Sequence, residues 1–129
     1  QANLCRAVVE SATFGLRYGL ELLGPLAAGA SQIRLIGGGA NSPLWRQMVA
    51  DVTATQVICP QVTDAAALGA ALQAAWCERR DLSLAALCER LVHLDEASLA
   101  EPKATSVRAY ETVYARYREA LSAQHGLPA

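Results

Sequence analysis

The sequence has little net charge and no long apolar run. Its formal net charge is −1 at pH 7, and charged residues make up 18% of the 129 positions. Such a weak field does not favour binding to nucleic acid or to anionic membranes. No segment approaches the roughly 20 apolar residues that span a bilayer, and the start lacks the basic-then-apolar pattern of a secretory signal. We therefore expect a cytoplasmic protein whose partner is a small molecule or another protein, with no nucleic acid and no membrane.

Metal-binding and redox motifs are missing as well. The four cysteines are far apart with no CxxC pair, and only two histidines could join them as ligands. We therefore predict free, mostly buried thiols and no metal site. The residues concerned are Cys5, Cys59, Cys77, Cys88, His93 and His125.

The apolar content, in contrast, is 53%, which is enough for a hydrophobic core. Apolar and small residues at three-four spacing predict an amphipathic helix over 3–23, and Tyr110, Tyr114 and Tyr117 lie on one stripe of a last helix over 106–123. The remaining predicted elements are strands over 33–36 and 56–59, and helices over 43–53, 64–80 and 82–90, with an irregular stretch up to Pro102.

The predicted strands are too few for a self-sufficient sheet, because stable sheets usually have about three or more. The chain also begins with Gln1, and a helical pattern starts almost at once. We therefore expect a piece of a longer protein whose other parts supply further strands.

Three consecutive glycines, Gly37 to Gly39, stand where a predicted strand runs into a helix. Such a junction presents backbone N–H groups and the positive end of a helix dipole, where a phosphate or ribose can approach without meeting a Cβ. Nucleotide binding is one interpretation, and a tight turn that serves the fold alone is the other. The P-loop is excluded because Lys103 is the only lysine, and the Rossmann fingerprint fails because Ser42 stands at its last position.

A resemblance to a known family favours nucleotide binding. Residues 33–52, IRLIGGGANSPLWRQMVADV, closely resemble the adenosine motif of the FGGY family of carbohydrate kinases, and within it the bacterial xylulokinase branch, where GGGA-x-S-x-x-W-R-Q-M-x-A-D is typical. Residues 5–17, CRAVVESATFGLR, and 64–72, DAAALGAAL, resemble the segments before and after it. The chain departs from the pattern at Ser11 and Ala65, where glycine is usual, and from residue 81 onward the likeness is weak.

The resemblance implies an α/β fold that is the C-terminal portion of an actin-like ATPase (ribonuclease H-like) domain, helix-rich with a partial sheet. Residues 1–129 would form one partial nucleotide-binding domain. The implied reaction is ATP-dependent phosphorylation of a sugar, D-xylulose to D-xylulose 5-phosphate, with Mg²⁺. The sugar would be held by an N-terminal domain that is missing here, and a homodimer is one assembly that this reading allows.

The same resemblance assigns nucleotide contacts to one loop. By this analogy Gly38 and Gly39 lie against the adenosine and inner phosphate, while Asn41 and Ser42 reach the adenine or its ribose. Helix capping alone is the alternative for Asn41 and Ser42. The implied cofactor-binding residues are Gly37, Gly38, Gly39, Ala40, Asn41 and Ser42.

The catalytic aspartate and the metal site of such kinases would lie outside this chain, so we expect the 129 residues alone to be inactive. The chain's own aspartates are predicted to be structural or solvated: Asp51, Asp64, Asp81 and Asp95. Packing is predicted for Trp45 and Trp76 rather than stacking on adenine. We expect Glu10 to lie at the surface or to pair helices.

Two alternatives stay open. One is another FGGY kinase, of the gluconate, ribulose or glycerol type, although glycerol kinases carry a GGAxANN-like run in place of GGGANS. The other is a non-catalytic helical interaction domain whose glycines only make a turn.

Overall fold

The computed structural model describes residues 2–27, 29–62, 64–79 and 81–128. The first elements alternate as α-β-α-β-α, as the sequence predicts. Within these ranges the helices are α1 (Ala2–Leu22), α2 (Pro43–Thr53), α3 (Ala65–Glu78), α4 (Leu84–Leu91) and α5 (Ala104–His125), and the strands are β1 (Gln32–Arg34), β2 (Gln56–Pro60) and β3 (Leu94–Ala100).

Predicted caps begin two of the helices. The hydroxyl of Ser42 accepts a hydrogen bond from the backbone N–H of Trp45 at 3.3 Å, at the start of α2. The carboxylate of Asp64 accepts one from the backbone N–H of Ala67 at 2.9 Å, at the start of α3. Each bond satisfies a donor that the first turn of a helix leaves unpaired. The predicted end of α3 at Arg80 lies outside the described residues.

The sheet has the order β1-β2-β3, with β1 parallel and β3 antiparallel to β2. The prediction of an irregular stretch before Pro102 was wrong, because β3 fills most of it. Its sequence, LDEASLA, is poor in β-branched and aromatic residues, so local propensity does not indicate a strand. Tertiary contacts supply what propensity lacks: the hydroxyl of Ser98 accepts a hydrogen bond from the backbone N–H of Cys59 at 2.7 Å.

Helix α2 lies between the sheet and the pair formed by α1 and α5. Trp45 packs against both of the core clusters that this arrangement creates. The first joins α2 to the sheet and contains Leu35, Ala40, Val49, Ala50, Val57, Cys59 and Ala100. The second joins α2 to α1 and α5 and contains Phe14, Met48, Val52, Tyr110 and Tyr114.

The tyrosine stripe of α5 is confirmed, and the hydroxyl groups of Tyr110 and Tyr114 bond to carboxylates of α1. Tyr114 donates to the carboxylate of Glu21 at 2.8 Å, and Arg17 pairs with the same carboxylate at 3.0 Å and with Glu111 at 2.9 Å. Arg17 also donates to the backbone carbonyl of Val52 at 2.9 Å, which ties in the end of α2. Burial, followed by the bond to Glu21, raises the pKa of Tyr114 above its ordinary value.

Glu10 pairs helices, which is one of the two roles expected for it. The hydroxyl of Tyr110 on α5 donates to the Glu10 carboxylate at 3.1 Å, and Arg6 donates to the same carboxylate at 2.8 Å. Tyr110 also packs against Phe14 of α1, whose ring meets that of Tyr110 edge-on with centroids 6.0 Å apart.

Two packing predictions were wrong. Trp76, expected in the core or between helices, is 44% exposed. Of the cysteines, expected to be mostly buried, Cys59 is buried but Cys5 and Cys77 are exposed on α1 and α3. Each of these helices turns one apolar face outward in this chain, so an apolar residue on that face has no packing partner to cover it. No helix in the described ranges is both long and apolar enough to cross a membrane.

Candidate functional site

The three glycines form a short 3₁₀ turn between β1 and α2. The backbone N–H of Leu35 still pairs with the carbonyl of Ile58 at 2.9 Å, so the chain leaves the sheet just before the glycines. Gly37 has a φ of 91°, a conformation that residues with a Cβ rarely adopt. The turn, Gly38–Asn41, is closed by a hydrogen bond of 3.0 Å from the backbone N–H of Ala40 to the carbonyl of Gly37.

A pocket of about 200 Å³ lies between this turn and the end of β2. Four of the six sequence-predicted nucleotide contacts line it, and Gly39 and Ser42 are not among them. The lining residues are Leu35, Ile36, Gly37, Gly38, Ala40, Asn41, Cys59, Pro60 and Val62. The pocket therefore sits where the parallel strands β1 and β2 end, which is where open α/β sheets usually bind ligands.

The structural reason for a glycine differs among the three positions 37, 38 and 39. Gly37 needs its positive φ. Gly39 lies against the six-membered ring of Trp45, and a Cβ there would overlap the ring. A Cβ on Gly38 would meet no atom within 4 Å, and its φ is not in the positive range. The packing of this chain therefore explains Gly37 and Gly39 but leaves Gly38 without a structural reason.

A side chain of α2 holds the turn by a hydrogen bond to its backbone. The guanidinium of Arg46 donates to the carbonyl oxygen of Ala40 at 2.7 Å, and the Sγ atom of Cys59 lies 3.8 Å from the same oxygen. Ala40 itself is buried. Neither Arg46 nor Cys59 was predicted as a site residue from the sequence, although the arginine directly follows Trp45 in the resembling motif.

The start of α2 is less available to an anion than the sequence suggests. Pro43 carries no N–H, the N–H of Trp45 bonds to the Ser42 hydroxyl, and the N–H of Arg46 bonds to the Ser42 carbonyl at 3.0 Å. Ser42 thus acts as the cap that was the alternative to a ligand contact. The open part of the site is the turn itself, around Gly38 and Asn41.

The aspartates make hydrogen bonds or ion pairs with other groups of this chain. Asp51 is buried and accepts hydrogen bonds from the side chain of Gln47 at 3.0 Å and from the backbone N–H of Lys103 at 2.8 Å. Asp95 accepts from a backbone N–H two residues on, and Asp81 faces Arg79 at 3.4 Å on the surface. In the ranges that the structure describes, no three His, Cys, Asp or Glu side chains are grouped so that they could hold a metal ion.

A second cavity, of about 310 Å³, lies near the start of β1, and none of the three glycines Gly37 to Gly39 lines it. Its charged lining residues, Arg17 and Glu21, are paired with each other at 3.0 Å. This cavity therefore offers no free charge to a ligand, and the pocket beside Gly38 is the better candidate.

The helix-rich fold with its small three-stranded sheet agrees with the actin-like fold that the sequence predicts. The description of the C-terminal domain of the FGGY family of carbohydrate kinases matches residues 1–78. The chain therefore belongs to the FGGY family of carbohydrate kinases.

Its relatives include proteins described as xylulose kinases. The chain is 53% identical to the xylulose kinase of Haemophilus influenzae over 120 residues, which are 93% of this chain and 24% of that protein. It is 34% identical to the xylulose kinase of Bacillus subtilis over 116 residues, which are 90% of this chain and 23% of that protein. The chain thus spans about a quarter of the length of these relatives.

Solved structures agree with the fold. A ligand-bound xylulose kinase and a gluconate kinase, both from Lactobacillus acidophilus, each superpose with a TM-score of 0.79 at 21% identity. Each superposition covers 95% of this chain and 25% of the larger one. The expected actin-like fold, helix-rich with a small sheet, is confirmed.

Proposed function

We propose that this chain is the C-terminal portion of the nucleotide-binding domain of a sugar kinase, and that its glycine turn contacts the adenosine part of ATP or ADP. Residues 1–129 form one partial domain in this proposal. The proposed contacts are Gly37, Gly38, Gly39, Ala40, Asn41 and Ser42, and four of them, Gly37, Gly38, Ala40 and Asn41, line the pocket.

The conformation around Gly38 supports this proposal most directly. Its neighbours Gly37 and Gly39 have structural reasons to lack a side chain, whereas Gly38 faces open space beside the pocket. A glycine with room for a Cβ is expected where a ligand comes close to the backbone. The non-catalytic alternative gives no reason for glycine at this position.

The proposed reaction is transfer of the γ-phosphoryl group of ATP to D-xylulose, giving D-xylulose 5-phosphate. Identity of 53% to a xylulose kinase favours this sugar, while the equally good superposition on a gluconate kinase keeps gluconate as the second candidate. Comparing kcat/KM of the complete kinase for D-xylulose, gluconate, ribulose and glycerol decides between these substrates.

The other parts of the reaction would lie outside this chain. We place the catalytic base, the Mg²⁺ ligands and the sugar site in the portion of the kinase that the relatives have and this chain does not, so no phosphoryl transfer is expected from the 129 residues alone. A cytoplasmic location and a homodimer stay predictions of the sequence.

The test is Gly38→Val in the complete kinase. We expect the KM for ATP to rise by an amount equivalent to about 1 to 3 kcal/mol of lost binding, because the added methyl groups occupy the space of the nucleotide. The melting temperature and the affinity for sugar without nucleotide should change little. An unchanged KM for ATP would contradict the proposal.

Gly39→Ala is the matched comparison in the same turn. Its Cβ would collide with the ring of Trp45, so we expect a lowered melting temperature and a smaller active fraction. Binding of ADP to the complete kinase, measured by calorimetry, separates the kinase from a non-catalytic interaction domain, which would bind none.

A further inference from the structure

The carbonyl group of Ala40 cannot be satisfied by the turn to which it belongs. In a 3₁₀ turn each carbonyl accepts from the N–H three residues later, as Gly39 does from Ser42 at 3.0 Å. Three residues after Ala40 stands Pro43, which has no N–H. A buried carbonyl without a donor destabilises a structure, so a donor must come from elsewhere.

Arg46 supplies that donor. Its Nη1 atom lies 2.7 Å from the Ala40 oxygen, a short distance typical of a charge-assisted hydrogen bond. Arg46 sits in the first turn of α2, one residue after Trp45, so the same helix turn that holds Gly39 also holds Ala40.

Trp45 is itself fixed. Its indole N–H donates to the hydroxyl of Thr13 at 3.0 Å, and Thr13, which is fully buried, donates in turn to the carbonyl of Val9 at 2.8 Å. The ring is therefore anchored to α1 at one end while it packs against Gly39 at the other. Two neighbouring side chains of α2 thus hold Gly39 and Ala40, in the same turn whose Gly37, Gly38, Ala40 and Asn41 line the pocket.

We propose that Arg46 is a positioning residue for the nucleotide: by holding the Ala40 carbonyl it fixes the pocket-facing backbone of Gly38 and Asn41. This inference rests on the proposed function. Without the guanidinium the turn keeps its glycines and the weak contact with the Cys59 Sγ atom, but it loses the charged donor that selects one conformation. Nucleotide binding then includes the cost of ordering the turn, which weakens affinity without changing the reacting groups.

The test is a pair of substitutions in the complete kinase, Arg46→Met and Arg46→Lys. Methionine keeps a long side chain without any donor, so we expect the KM for ATP to rise about tenfold, with kcat and the affinity for sugar nearly unchanged. Lysine keeps a charged donor that can reach a single carbonyl, so it should recover part of the loss. Arg108→Met, on the exposed surface of α5, is the control and should leave the KM unchanged.

Two results would overturn the inference. One is a lowered melting temperature with an unchanged KM for ATP in both Arg46 variants, which would make Arg46 purely structural. The other is an equal rise of KM in Arg46→Lys and Arg46→Met, since a retained donor would then have no effect. If Arg46→Met does not fold, the KM of Arg46→Lys measured against that of the Arg108→Met control decides: a rise supports the inference, and no rise overturns it.

Gly38→Val, measured in parallel, separates this inference from the proposed function. If Gly38→Val raises the KM for ATP and the Arg46 variants do not, the nucleotide site stands and only the role of Arg46 is wrong. If Gly38→Val has no effect, the nucleotide site itself is wrong.

Discussion

Two regions of this molecule use apolar residues in different ways. In the packed body, formed by the sheet with α1, α2 and α5, residues such as Val52 and Val57 are fully buried. In the hairpin formed by α3 and α4, most alanines of α3 are exposed, and Trp76 is 44% exposed. Yet α3 is more apolar than α2, the central helix of the packed body. Apolar content therefore does not by itself decide burial in this chain.

The difference lies in the number of faces that have a partner. Helix α2 is covered by the sheet on one side and by α1 and α5 on the other, whereas α3 packs mainly against α4. A helix that is apolar on all sides is one that a larger structure normally surrounds. On the proposed function, the remainder of the kinase covers α3 and the exposed face of α1, where Leu4 is 71% exposed.

The largest expected effect is on the core of the packed body. In the 129-residue chain, Phe14→Ala should lower the free energy of unfolding by about 3 to 5 kcal/mol, because it removes a ring that contacts Tyr110 and Tyr114. Trp76→Ala, which removes a larger but exposed ring, should change it by less than about 1 kcal/mol. Denaturant unfolding of both variants measures this difference, and equal losses would show that the hairpin is as well packed as the body.

Features that depend on local sequence were predicted better than features that depend on distant contacts. The Ser42 and Asp64 caps and the tyrosine stripe follow from local rules, so these features were recovered. Strand β3 was missed because its alanines and acidic residues acquire their strand conformation from β2 and from the Ser98 hydroxyl. Pairing partners of this kind are far apart in sequence and leave no periodic signal.

The site shows the same limit. The glycines and the resemblance to the FGGY motif indicated the turn. The sequence of three glycines does not show, however, that each position is glycine for a different reason. A Cβ on Gly39 would overlap Trp45, and Arg46 donates to the Ala40 carbonyl because Pro43 has no N–H to do so. Both facts depend on how α2 packs against the turn. Only the three-dimensional arrangement separates Gly38, with free space, from its neighbours.

A smaller effect is expected on association. Because the apolar surface of α3 is exposed in the 129-residue chain, we expect that chain to self-associate in sedimentation experiments. Ala70→Glu combined with Trp76→Glu should weaken the association by tenfold or more, about 1.4 kcal/mol, since both residues lie on exposed positions of α3. Gln73→Glu, which adds charge at a polar position of the same helix, is the control. A chain that stays monomeric at all concentrations would contradict the argument from α3.

The smallest effect concerns the polar network that joins α1 to α5. Tyr114→Phe removes the hydrogen bond to Glu21, so we expect a loss of about 1 kcal/mol of stability at neutral pH.

The pH dependence is more specific. Because the folded-state pKa of Tyr114 is raised above its value in the unfolded chain, the neutral hydroxyl contributes stability that is fully present below about pH 10 and is lost as the pH rises toward the folded-state pKa. Denaturant unfolding between pH 9 and 11 should therefore show stability falling with pH, and the fall should be shallower in Tyr114→Phe. Tyr110→Phe should also reduce the slope, since burial raises the pKa of Tyr110 as well. If the slope of stability against pH is the same in Tyr114→Phe as in the unchanged chain, the Tyr114 hydroxyl ionises as readily in the folded chain as in the unfolded one. The hydrogen bond to Glu21 would then not contribute to holding α1 and α5 together.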